Sequence, residues 1–308
     1  MDTALHFPTT PKAVKAAPLD LKKRMSVEQA FKAIATSCLE QIRANEVGVA
    51  RFHDVESLHQ MRVGLRRLRA ALGMFKDFLR LPPNLEEELN WIVEQLGPAR
   101  DWDVLVESTL PRVARDGNGM AEVEQAARSR CHALRLHASE AVASTRYQHL
   151  MHALQFWADK RGWRDMLPSR ARARLTGDIA DFADALLDVD QKRLHRRGRK
   201  LDSATPEQRH RVRIAAKKTR YATEFFAALY PGKRVRPYVK ALSTLQEKLG
   251  WLNDVAVADS LLAQLADEDE RLRVAAGLAH ERLACCEKEG ARQARKVWKK
   301  FAPMKAPH

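Results

Sequence analysis

The 308-residue sequence predicts an all-α fold. Apolar residues recur at helical spacing along most of the chain, while period-two, strand-like runs are scarce. Gly and Pro number 13 each, too few for the many tight turns of an all-β chain. Hydrophobic residues make up 45% and charged residues 30%, a mixture that excludes disorder of the whole chain. The length suffices to bury a sizeable core, in one large domain or two small ones.

The elements follow in order. Residues 1–20 carry Pro8, Pro11 and Pro18 and no continuous apolar segment. They read as a flexible tail rather than a secretory signal. Helical periodicity then predicts helices over 26–50 and 55–81, the second stopped by Pro82-Pro83, and over 85–96, ending at Gly97-Pro98. Another starts near Val104 and breaks at Asp116-Gly-Asn-Gly119, and 120–157 forms one long helix or two short ones. The second half repeats the alternation over 170–200, 206–229, 236–249, 255–266 and from 267 onward. No run approaches 18 consecutive apolar residues, so no membrane span is expected. Cys38, Cys131, Cys285 and Cys286 lack C-x-x-C spacing and read as buried thiols of a reducing cytoplasm.

An internal repeat organises the chain. His59-x-x-Arg62-Val-x-x-Arg66-Arg67-x-Arg69 recurs as His210-x-x-Arg213-Ile-x-x-Lys217-Lys218-x-Arg220. Phe75 matches Phe226 at the same offset, and Leu96-Gly97-x-x-Arg100-Asp101 matches Leu249-Gly250-x-x-Asn253-Asp254 after a two-residue slip. Asp54 and Thr205 occupy matching N-cap positions, with Pro206 suited to a first helical position. The pattern predicts a tandem duplication joined near Gly162 to Ser169, with halves at 21–165 and 166–303.

On a helical wheel His59, Arg62, Arg66 and Arg69 fall within an arc of about 80°, opposite Met61, Leu65, Leu68, Leu72 and Phe75. His210, Arg213, Lys217 and Arg220 behave alike in the second copy, and Arg67 and Lys218 sit on the flank. Like charges at these spacings cost a few tenths of a kcal/mol per pair, so a helix without a task would intersperse acids. A formal net charge of +15 makes a polyanion the expected partner. A row of cations about 5 Å apart suits closely spaced phosphates. With no aromatic stack on either face, charge is read and bases are not. Further cations cluster at Lys192 to Lys200, including Arg193 and Arg196, and at Arg292, Arg295, Lys296, Lys299 and Lys300.

The twin motifs, the paired LGxxRD and LGxxND segments and the basic helical context resemble the CHAD domain, the conserved histidine α-helical domain, from about residue 20 to 303. The resemblance implies two tandem, pseudo-symmetric four-helix bundles around a central basic cavity, binding inorganic polyphosphate at cytoplasmic polyphosphate granules. Some members carry a triphosphatase-type domain, for which the segment before the first repeat is expected to be too short. Carried over by position, the anion-lining set is His59, Arg62, Arg66, Arg69, His210, Arg213, Lys217 and Arg220. Arg67 and Lys218 stand second, and Arg193, Arg196 and residues near Asn45 contribute at the rim. No enzymatic activity, cofactor or metal is expected.

Three other readings compete for the same residues. Glu56-x-x-His59 and Glu207-x-x-His210 have the spacing of carboxylate-bridged metal sites in helical bundles, but Arg62 and Arg66 share that face and repel a metal cation. Phosphate hydrolysis would want acids holding a metal; Glu224 is the nearest, while Asp101 and Asp254 are more simply helix caps or partners of the motif arginines. Weak, non-specific nucleic-acid binding is the runner-up, favoured if the motifs face outward.

Overall fold

The computed structural model describes residues 11–113, 120–164, 167 and 169–308. The expected break at Asp116 to Gly119, part of the joint between the halves and residues 1–10 of the tail lie outside them. Described residues 11–22 are without regular secondary structure, but they are not a free tail. Val14 exchanges two backbone hydrogen bonds with the buried Asn45 side chain, both 2.9 Å, and Leu21 is buried. A buried amide needs partners, and the strap supplies them. Asn45 is thereby a structural residue and not part of a rim.

The first half contains α1 (Val27–Arg43), α2 (Glu46–Phe52), α3 (Val55–Met74), α4 (Pro83–Val104), a π-helical turn over Leu105–Thr109, α5 (Leu110–Val113), α6 (Met120–Ala143) and α7 (Thr145–Asp159). The second contains α8 (Ser169–Arg174), α9 (Ile179–Gly198), α10 (Pro206–Phe225), α11 (Gly232–Glu268) and α12 (Arg273–Phe301). The chain is all-α. The long helix expected over 26–50 is broken at Ala44-Asn45, and Ser144 caps a new helix inside the 120–157 run.

Two expected breaks are absent. Gly97-Pro98 lies inside α4, and the segments expected at 236–249 and 255–266 form one helix, α11. Leu96, Ala99 and Trp102, like Leu249, Leu252 and Val255, bury a continuous stripe through these points. Packing of that stripe offsets the weak local propensity.

The order of the long helices is consistent with the repeat in the sequence. The helices α1, α3, α4 and α6 recur as α9, α10, α11 and α12. The N-caps Ser26 and Asp178 meet in a short antiparallel bridge, with Val27 N–H donating to Gly177 O and Ile179 N–H to Met25 O. At the other end of the motif helices Phe75 and Phe226 lie 6.4 Å apart between ring centroids, with Phe182 against both. Two of the hydrophobic cores cross the joint, while a third lies within the second half. The largest takes Ile179, Tyr221, Phe225 and Phe226 from the second half, and a second joins Trp102, Leu105 and Val123 to Val255, Leu262 and Leu283.

Candidate functional site: a cationic seam between the motif helices

The site begins with two helix starts. Asp54 Oδ2 accepts from Ser57 N–H at 2.7 Å, and Thr205 forms a capping box with Gln208. These caps fix the phase of α3 and α10, and phase decides which residues face inward. Gly64 sets the depth. A Cβ there would lie 2.8 Å from Ile42 Cγ1, so only glycine lets α3 approach α1 this closely.

The helices α3 and α10 pack against each other, as do α4 and α11. Arg62, Arg66, Arg213 and Lys217 are thereby drawn to one seam, all half-buried. Arg62 donates to Val93 O at 3.3 Å, in the space left by Gly97. Burial lowers the Arg62 proton affinity to about 10, with the Asp101 carboxylate opposing and Arg66 and Arg100 reinforcing. Burial and the neighbouring Arg213, Arg66 and Arg220 bring Lys217 down to about 7. Burial, then Asp254 in opposition and Arg66 in support, leave Arg213 lowered as well. Charges from both halves therefore act on one another across the seam. The Nε atoms of Arg62 and Arg66 and the Nδ1 atom of His59 are buried with no hydrogen-bond partner among the described residues. The two guanidinium donors carry a desolvation cost that an anion would relieve.

His59 is half-buried, and burial followed by Arg100 brings it down to about 4. It is neutral at pH 7. His210, its counterpart, is exposed. Arg69 is exposed and extends the first row into solvent. Arg220 donates to Gln246 Oε1 and to Glu224 Oε1, both at 2.9 Å.

The remaining expected residues are elsewhere. Arg67 is buried, donates to Gln41 Oε1 at 2.8 Å and stacks over Phe225 at 5.2 Å, a cation holding the two halves together. Arg193 pairs with the buried Asp190 at 2.8 Å, and Lys218 acts on that same carboxylate, so both belong to the α9 side of α10. Arg196 is exposed on α9 near Arg197. Cys38 and Cys131 are buried as expected, but Cys285 is exposed and Cys286 half-exposed.

Arg100, Asp101 and Asp254 join the seam. Asp101 feels Arg62, Arg100, Arg213 and Arg66, and Asp254 feels Arg213 and Arg100; burial leaves both carboxyls raised. They lie in helix interiors, so they are partners of the motif arginines and not caps. The signal was the repeated LGxxRD and LGxxND spacing, which places residue 101 and residue 254 at equal phase on equivalent helices. Glu56 accepts from Gln60 Nε2 at 2.7 Å and Glu207 from the Thr205 hydroxyl at 2.7 Å. No group of three His, Cys, Asp or Glu placed to hold a metal occurs among the described residues. No described helix is long and apolar enough to cross a membrane.

A cleft of about 700 Å³ opens from the seam into the second half. Arg213 and Asn253 border it on the seam side, and His210 stands at its rim.

The family model described as the CHAD domain matches residues 33–263. No curated protein matches the sequence. A crystal structure of the CHAD domain from the plant Ricinus communis is 36% identical, with a TM-score of 0.84, covering 98% of this chain and 99% of that one. A structure of PptA from Streptomyces chartreusis shares the fold at 16% identity and a TM-score of 0.65, covering 89% of this chain and 100% of that one. The duplicated motif, the all-helical architecture and these matches agree: the chain belongs to the CHAD domain family.

Proposed function

We propose that the chain binds inorganic polyphosphate along the seam between α3 and α10. The observation that carries this reading is the convergence of Arg62, Arg66, Arg213 and Lys217 from two halves, with the buried Nε donors of Arg62 and Arg66 unpartnered among the described residues. Repulsion among these cations disfavours the empty seam, and a polyanion reverses its sign. An unbranched phosphate chain is thin enough to reach half-buried guanidinium groups between packed helices. A nucleic-acid duplex presents its phosphates on a much wider body, and nucleic acid is accordingly a weak, non-specific ligand here. On this reading the protein acts as a binding module and not a catalyst: Asp101 and Asp254 lie near each other but are offset by Arg62, Arg100 and Arg213, and Glu224 is paired with Arg220. On this reading it resides in the cytoplasm and associates with polyphosphate granules.

A competition titration tests the reading. Fluorescent long-chain polyphosphate is displaced by unlabelled polyphosphate, duplex DNA or single-stranded RNA at equal phosphate concentration. Displacement chiefly by polyphosphate is expected, and the Arg62→Glu/Arg213→Glu double variant should lose binding while keeping its helical circular-dichroism spectrum. Equal displacement by DNA, or unchanged affinity in the folded double variant, would sink it.

A further inference from the structure

We propose that the cleft beside the seam receives the organic body of a nucleoside polyphosphate, whose phosphates run onto the seam at Arg213. The inference rests on the seam being a phosphate site. The cleft volume of about 700 Å³ falls within the range of small-molecule sites. Its floor is apolar, formed by Leu249, Leu252, Val255 and Leu283. Its outer charges of both signs lie side by side: Arg209 pairs with Glu287, His280 with Asp259 at 2.5 Å, and Glu207 sits near Arg211. A bare phosphate chain passing this way would meet an apolar floor and a neutralised rim. A ligand with an apolar ring system at one end and phosphates at the other matches both the floor and the Arg213 end.

The first half argues the same point by contrast. The equivalents of Asn253, Val255 and Ala256 are Arg100, Trp102 and Asp103. Trp102 is buried, and Asp103 is fully buried, accepting from Arg135 at 2.7 Å. Smaller side chains in the second half leave space where the first half is filled. A symmetric chain tracking both halves would gain nothing from that difference. Asn253 adds polar recognition. It borders the cleft beside Asp254, and its amide can accept from an exocyclic amine.

The test compares ATP with inorganic tripolyphosphate by titration calorimetry on the full chain, without divalent metal, at about 150 mM salt. Both carry three phosphates, and ATP has no more negative charge, so electrostatics alone gives it no advantage. ATP should bind about tenfold tighter or better. Ala256 and Ala284 line the cleft with exposed side chains, so Ala256→Trp and Ala284→Trp fill it without disturbing the core. Each should remove the ATP advantage and leave long-chain polyphosphate affinity within about twofold. ATP binding no tighter than tripolyphosphate, or an advantage that survives both substitutions, overturns the cleft assignment while leaving the seam standing. Loss of all phosphate binding by the unmodified chain overturns both.

Discussion

Lys217 stands where the first half has Arg66, and the exchange introduces a titration. Burial and the cations around it hold the Lys217 ammonium at about 7, against about 10.4 in an unfolded chain. Between these limits the folded state binds fewer protons than the unfolded one, so this group's contribution to stability rises with pH and its charge is a cost below about 7. A polyphosphate chain reverses the balance by favouring the protonated form. Binding above neutrality therefore takes up a proton, and affinity should fall as pH rises from about 7 to 9. Calorimetry at pH 8 in buffers of different ionisation heat should record that uptake. Lys217→Arg, which is charged throughout, should bind without it and flatten the profile. His59, at about 4, contributes to any remaining dependence only on the acidic side. The two motif histidines are thus unequal, one neutral and half-buried at pH 7, the other exposed.

At the scale of the elements, the motif helices were legible almost residue by residue. Asp54 and Thr205 announce α3 and α10, and the row of cations opposite Met61, Leu65 and Leu68 gives their inward phase. Helix ends were less legible, because Gly97-Pro98 and the stretch around Gly250 read locally as breaks while tertiary packing carries the helices through. Arg67 was misassigned for a related reason. Its position on the wheel places it beside Arg66, but the partner that buries it, Gln41, comes from α1, and Phe225 from the other half. Periodicity along one helix contains neither contact. The α1–α3 interface shows how narrow such fits are. Gly64→Leu would force Ile42 and the α1 backbone apart, and should cost more than about 3 kcal/mol, beyond ordinary overpacking, because the clash includes main chain. Thermal melting should show it, while Gly73→Leu, with open space at its Cβ, should leave the melting temperature near that of the parent.

At the scale of the whole molecule, two of the hydrophobic cores draw on both halves, and the proposed binding seam depends on that sharing. Phe225 and Phe226 complete a core built mainly by the first half, so residues 21–164 alone would expose the surface those rings cover. That fragment should bind a hydrophobic dye and lack a cooperative thermal transition, whereas the full chain should melt in one step. The same joining determines the charge that polyphosphate meets. Arg62, Arg66, Arg100, Arg213, Lys217 and Arg220 face it, but Asp101, Asp254 and Glu224 offset part of that charge. Neutralising phosphates releases condensed counterions nearly one for one, so a bare row of these six cations would give a logarithmic salt slope of roughly −5. With three carboxylates embedded, the slope should be nearer about −3. Titration between low and high salt measures it, and Asp254→Asn should steepen it by close to one. A slope unchanged in that variant would mean that the carboxylate is displaced or protonated when the chain binds, which the raised proton affinity of Asp254 permits. Proton uptake in excess of that owed to Lys217 would then be the accompanying signal.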